Sequence, residues 1–276
     1  MPAPTTGSPG EGILDRWGMH LEVGAVVVAT VGFVLGARSV DPGSVYRGLD
    51  AWQYLGNALS LQTGDGALYH PFRDPLHAAL VAKLSGPAGG LREAAEWISL
   101  LSVTATIPLV WGLGRVAFGR LVGLLAMVLW VENPDIYLFG GYHGSYALLG
   151  AATTAGLGAT LLAVHRDLRW TVVAGLAMGL AWATDQRAIS WTLVASVGLA
   201  LSGWRHPAWR RRLGASLGLL VLAGTLGTAS GTLAPVPLAS LSERVLNQRT
   251  KTAISGPAWR PGQLDDGSQT LPCEDP

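Results

Sequence analysis

Charge is what this sequence has least of. Only 13% of its 276 residues are Asp, Glu, Lys or Arg, against roughly 25% in a soluble domain. That scarcity excludes an ordinary water-soluble globule. With 19 basic and 18 acidic residues the net charge is +1, so no basic face stands out as a general nucleic-acid surface. Cysteine is almost absent. The single Cys273 excludes an intrachain disulfide and a thiolate metal site. The chain also lacks a His-Glu-x-x-His run, a Ser/His/Asp grouping suited to a membrane hydrolase, and a convincing internal repeat of the kind expected of a transporter.

What is present is apolar. Hydrophobic residues make up 49% of the chain, with 37 Gly and 11 Trp. Seven stretches read as membrane spans: 21–37, 98–118, 121–139, 146–164, 170–183, 188–204 and 213–233. A bilayer needs about 20 apolar residues per helix. The second, fourth and seventh stretches meet that length, the first and sixth are short, and Glu132, Asn133, Pro134 and Asp135 interrupt the third. The fifth meets the sixth through Thr184, Asp185, Gln186 and Arg187. The expected fold class is therefore an all-α, polytopic helical membrane protein of about seven transmembrane helices. Glu11 and Asp15 beside a single Arg16 make a poor basic leader, so the first span is expected to stay uncleaved.

Arginine counting sets the expected orientation. With the N-terminus inside, the inner turns carry Arg115, Arg120, Arg166, Arg169, Arg205, Arg210, Arg211 and Arg212, while the short outer turns carry only Arg187. The expected organisation is a cytoplasmic segment 1–20, a transmembrane module 21–234 with an external loop 38–96, and an external polar, partly disordered tail 235–276 rich in proline. The protein is expected to be multi-pass in a cell inner or plasma membrane. The pairs Gly175/Gly179, Gly214/Gly218 and Gly227/Gly231 are expected to let helices approach closely, with no chemical role.

The chemistry-bearing residues concentrate in residues 45–80, which hold Asp50, Asp65, His70, Arg73, Asp74 and His77 between hydrophobic segments. Trp52, Leu55 and Leu59, and again Leu76, Leu80 and Leu84, recur at helical spacing. Two helices lying in the interface are expected, joined by a turn containing Gly64, Gly66, Pro71 and Pro75. Asp65, between two glycines, reads as turn chemistry. His70 and His77 are seven residues apart without a third ligand, so no metal site is expected. Asp50 is open to two readings, an N-cap of the helix starting near Trp52 or a catalytic carboxylate.

Asp50-x-x-x-Tyr54-x-x-x-Ala58 after a first span, followed by Asp74-Pro75-Leu76 opening a new helix, resembles the GT-C membrane glycosyltransferases. The nearest branch is that of the protein O-mannosyltransferases and the lipid A aminoarabinose transferases. Arg115 to Arg120, Asn133-Pro134, and Ala174 to Ala181 followed by Thr184 and Arg187 resemble later landmarks of that group. Ala51 departs from the second acidic residue often found there, and Asp74 from a neutral one. The chain is also short for the group, as though minimal or C-terminally truncated.

The resemblance implies an inverting hexosyl- or pentosyltransferase. It would move a sugar from a polyprenyl-phosphate donor to a hydroxyl of a lipid, glycan or protein on the extracytoplasmic face. No cofactor and no metal is implied, and membrane lipids are the other expected partners. Asp50 is the expected general base, taking the proton of the attacking hydroxyl. Phosphate is already a weakly basic leaving group, so no paired general acid is needed. Arg73, His70 and Arg187 are the expected donor-phosphate contacts, with Tyr54 and His143 lining the substrate site. The alternative is a non-catalytic membrane protein, a transporter segment or assembly subunit with a degenerate transferase fold.

Overall fold

The computed structural model describes residues 9–39, 49–140, 144–204 and 209–235. Among them there is no strand, and they are almost wholly helical. The helices are α1 (Pro9–Ser39), α2 (Leu49–Thr63), α3 (Pro75–Ala88), α4 (Leu91–Phe118), α5 (Arg120–Val131), α6 (Pro134–Gly140), α7 (Tyr146–His165), α8 (Trp170–Thr184), α9 (Ala188–Leu201) and α10 (Trp209–Ala229). The expected tail from 236 onward lies outside the described residues.

Four segments are long and apolar enough to cross a membrane: Gly18–Ser39, Leu91–Phe118, Tyr146–His165 and Trp209–Leu233. They mark the chain as a membrane protein. The other apolar helices α5, α8 and α9 have 12, 15 and 14 residues. The expectation of seven spans is thus met by length at four places. The stretch expected as one span over 121–139 is two helices, α5 and α6, because Pro134 cannot continue the helix and starts a new one. Helix α1 starts at Pro9, well inside the stretch expected as an N-terminal segment.

Small residues fill many of the helix contacts, alongside large ones such as Phe33, Ile107, Met178, Leu199 and Leu219. Between the helices lie Ala151, Ala152, Ala159, Ala174, Ala181 and Ala223 together with Ser99, Thr106, Thr160, Thr192 and Ser196, all buried. Val28, Leu129, Val172, Val194 and Val221 face outward. Lipid tails are as apolar as leucine, so burial gains little in a bilayer and close backbone approach holds helices together. The hydroxyls of Ser102, Thr106, Thr160 and Thr192 donate to carbonyls one turn back, which satisfies them without water.

Glycine makes the tightest crossings. A Cβ on Gly175 would meet Leu222 at 2.8 Å, one on Gly179 would meet Leu226 at 2.7 Å, and one on Gly227 would meet Trp182 at 2.5 Å. These seams pack α8 against α10, as the sequence spacing predicts. Gly214 and Gly218 depart from the expectation, because nothing lies within 4 Å of a Cβ at either. Gly114 and Gly123, which carry no spacing signal, form the closest backbone contact instead. A Cβ on Gly123 would sit 2.7 Å from the Trp111 carbonyl oxygen, and backbone cannot yield as a flexible side chain does. Gly123→Ala is expected to cost about 1–3 kcal/mol by overpacking. Gly218→Ala is expected to be neutral or to stabilise by up to about 1 kcal/mol through helix propensity. Paired thermal unfolding in one detergent measures both, and an equal loss at the two positions would refute the packing argument.

The long helices alternate direction, as Arg38 against Trp97 and Glu22 against Arg115 show for α1 and α4, so their turns gather at two ends. One end carries the residue 49–90 loop, the α6–α7 junction and the α8–α9 turn. The other carries Glu22 and the arginine-bearing turns. There Glu22, only 5% exposed inside the first span, is ion-paired with Arg115 at 2.9 Å and accepts a hydrogen bond from Arg120. Sequence reading assigns nothing to Glu22. It ties the peripheral α1 to the α4–α5 turn, where Gly119 at φ +98° reverses the chain in a left-handed conformation that favours glycine.

Candidate functional site

Helix α2 buries Ala51, Tyr54, Leu55 and Ala58, one stripe at helical spacing. That stripe packs on Ala78 and Val81 of α3 and on Ala94, Ala95 and Ile98 of α4. The pair is therefore joined to the bundle and not merely laid on a surface, as interfacial helices would be. Neither α2 nor α3 reaches spanning length. Gln62 bridges to the Ala82 carbonyl and the Ser85 hydroxyl near the ends of both helices, while Tyr54 meets His77 near their starts, so α2 and α3 run parallel.

The connector between them is ordered by side chains. Gly64 ends α2 at φ +74°, its N–H donating to the Ser60 carbonyl. The Asp65 carboxylate accepts from the Ala67 N–H, the turn role its glycine neighbours indicate. Asn57, wholly buried, holds His70 by both backbone groups: it accepts from the His70 N–H at 2.6 Å and donates to the His70 carbonyl at 3.2 Å. Asn57→Ala leaves those two groups without their partner and is expected to destabilise the connector by about 1–3 kcal/mol. Hydrogen exchange at residues 64–73 checks this, and unchanged protection there would remove Asn57 from the role.

Beyond the connector a polar cluster forms where α2, α3, α7 and the α8–α9 turn meet. The Ser145 hydroxyl donates to the Tyr54 hydroxyl at 2.6 Å. The Arg73 guanidinium lies over the Tyr54 ring, 5.5 Å from its centroid, and its Nε donates to Gln53 at 2.7 Å. His77 of α3, fully buried, meets the same ring edge-on at 5.1 Å. Arg187 stacks on Tyr146 at 4.9 Å and forks onto Asp185, with contacts of 2.6 to 3.1 Å. Asp74, at the start of α3, does not cap its own helix. Its carboxylate accepts from the Gln186 N–H at 3.0 Å, fastening the loop to the α8–α9 turn.

Electrostatics fixes two protonation states. Burial pushes the Tyr54 hydroxyl far above the usual phenol range, against a smaller lowering by Arg73 and Ser145. Tyr54 is thus a phenol that orients neighbours and not a base. The hydrogen bonds to Asp185 push Arg187 up, so its positive charge is permanent.

Of the residues expected from sequence, Tyr54, Arg73 and Arg187 come together here. His70 sits on the Asn57 side of the connector, its ring packed on Phe72 at 5.3 Å. Asp50 lies in the first turn of α2, four residues before Tyr54 on the same helix, and its side chain is outside the described residues. Since α2 starts at Leu49, Asp50 is inside the helix, contrary to the reading of a cap preceding it. His143 also lies outside the described residues. Sequence reasoning missed Gln53, Asn57, Ser145 and Tyr146. Ser145 and Tyr146 stand two and three residues after His143, and that proximity was the only signal for them. Among the described residues, no group of three or more His, Cys, Asp or Glu is placed to hold a metal ion. A shallow groove of about 360 Å3, lined by Leu61, Gln62, Ala79, Ala82, Lys83 and Leu233, shares no residue with the cluster.

Compared with known proteins, the chain matches no family model, no curated protein and no solved structure.

Proposed function

We propose that this protein transfers a sugar from a polyprenyl-phosphate donor to a hydroxyl acceptor at the loop end of the bundle. Asp50 is the general base and Arg73 the leading donor-phosphate contact. The observation that carries the reading is the convergence of Arg73, Tyr54 and Arg187 at one end of an apolar bundle. A lipid-linked phosphate needs that pairing, with cations at the headgroup and lipid-facing helices for the chain. Helix α8 has 15 residues, a rise of about 22 Å against a hydrocarbon core of about 30 Å. With Trp170 at one boundary, Asp185 and Arg187 would be recessed below the other and roofed by α2 and α3. Ionisable residues at such depth are costly and tend to be functional.

Asp185 holds Nε and one terminal nitrogen of Arg187 and Tyr146 makes a further hydrogen bond to it, so Arg187 is a secondary phosphate contact. The same ion pair favours the second reading, a non-catalytic membrane subunit in which Asp185 and Arg187 only close the α8–α9 turn. In both readings the arginine asymmetry puts the loop end outside and the N-terminus in the cytoplasm.

The test is sugar transfer from a panel of polyprenyl-phosphate donors in membranes, with and without a chelator. Transfer unaffected by chelation is expected. Its absence with every donor would favour the non-catalytic reading. Impermeant labelling of Ser44→Cys but not His206→Cys, in a Cys273→Ser background, is expected from the orientation. The reverse pattern would overturn it.

A further inference from the structure

The arginine end carries positive charge that the site at the loop end does not use. Helices α8 and α10 run parallel, with Gly175 against Leu222 and Gly179 against Leu226 at one constant offset. Followed back toward their starts, that register sets Arg166 and Arg169, just ahead of α8, level with residues 213–216, one turn into α10. At the same end Arg212 donates to the Val164 carbonyl of α7 at 3.3 Å, and to the Ser202 carbonyl and hydroxyl at 2.9 Å. Arg212 thus turns inward and caps the ends of α7 and α9. Its neighbours do not. Arg210 and Arg211 are exposed, as are Arg166 and Arg169.

Nearby negative charge is scarce. Of the carboxylates at this end whose side chains are described, Glu22 is taken by Arg115 and Arg120. Asp167 offers Arg169 one exposed contact of 3.5 Å, of small energetic value. Arg166, Arg210 and Arg211 have no ion pair among the described residues. Trp170, Trp204 and Trp209 are exposed at the same level, where indole rings sit at lipid headgroups. Below them Val172 and Leu176 of α8 and Leu217 and Val221 of α10 present an apolar flank.

We infer that Arg166, Arg169, Arg210 and Arg211 form a binding site for the phosphodiester of an anionic glycerophospholipid. Its acyl chains lie along the outer faces of α8 and α10. The partner is a lipid and not a soluble anion, because the cations stand directly above lipid-facing side chains within an indole ring. Each arginine at a membrane surface contributes about a fivefold gain in affinity for acidic lipid. This site is independent of the transferase reading.

The experiment uses the full-length protein, delipidated in a neutral maltoside detergent and titrated with phosphatidylglycerol or phosphatidylcholine under native mass spectrometry. Wild type is expected to retain phosphatidylglycerol at least tenfold better than phosphatidylcholine. R166Q/R169Q/R210Q/R211Q should lose that preference at unchanged helicity by circular dichroism, while the fourfold Lys variant at the same positions should keep most of it. R212Q is expected to lower thermal stability equally in both lipids, since Arg212 caps helices. Should the fourfold Gln variant misfold, the R166Q/R169Q and R210Q/R211Q pairs are compared, each expected to lose part of the preference. Equal binding of the two lipids by wild type, or an undiminished preference in the Gln variants, would overturn the site. Displacement of phosphatidylglycerol by millimolar inorganic phosphate would overturn it too, as a soluble-anion site.

Discussion

Asp50→Asn is expected to lower sugar transfer by about 10²–10⁴-fold, the range lost with a positioned general base, while donor binding survives. The amide keeps the shape and hydrogen-bonding capacity of the carboxylate but cannot accept the acceptor's proton. Arg73→Gln should act on the other substrate. Its guanidinium is held by the Tyr54 ring and by Gln53, so the charge is fixed in place before any phosphate arrives. Losing a charge-assisted contact of that kind is expected to raise the donor KM by about 10–100-fold with a smaller effect on kcat. The two variants therefore separate in a plot of rate against donor concentration. Near-wild-type transfer by Asp50→Asn would remove it from catalysis. An unchanged donor KM in Arg73→Gln would remove Arg73 from phosphate binding.

Removing both arginines from Glu22 is expected to be the most destabilising change in the molecule. R115Q/R120Q leaves a carboxylate that is 5% exposed without its partners, a defect of about 3–5 kcal/mol. For a chain of this size that corresponds to a fall of about 6–20 °C in Tm. E22Q should cost less. Arg115 and Arg120 are 27% and 41% exposed, and their long stems can carry the freed charge toward headgroups and water. E22Q/R115Q/R120Q, with no charge left to strand, should recover part of the loss. Thermal unfolding of all three variants in one detergent gives the ranking. If E22Q were the most damaging of them, burial of the carboxylate would not be the source of the energy.

Helix positions were legible in the sequence because apolar run length is a local property. α4, α7 and α10 fall where residues 98–118, 146–164 and 213–233 indicate. The break at Pro134 was visible as an interruption but read as a feature within one span, since run length does not register a lost backbone N–H. Glycine spacing was informative only where a partner helix lay opposite. Gly175 and Gly179 face Leu222 and Leu226, whereas Gly214 and Gly218, with the same spacing, face open space. Spacing says which residues share a face and not what covers it. The site was legible in Tyr54, Arg73 and Arg187, which are chemically conspicuous in apolar surroundings. Ser145, Asn57 and Glu22 were not, because their roles come from partners 91, 13 and 98 residues away in sequence.

An interior of alanine, glycine and hydroxyl residues wrapped in leucine and valine also determines which positions of this chain can drift over evolutionary time. In a water-soluble protein the large core side chains are the constrained ones, and small surface residues vary. Here small buried residues are constrained as well. Val28, Val172 or Val221 can exchange with any apolar residue of similar reach, because lipid conforms to whatever outline it meets. Ala174 and Ala181 are fully buried, and a methyl group on Gly179 would meet Leu226 at 2.7 Å. Divergent copies of this protein would accordingly vary most at their lipid-facing valines and leucines and keep the small residues packed between helices, so tiny side chains would be among the most durable records of common descent.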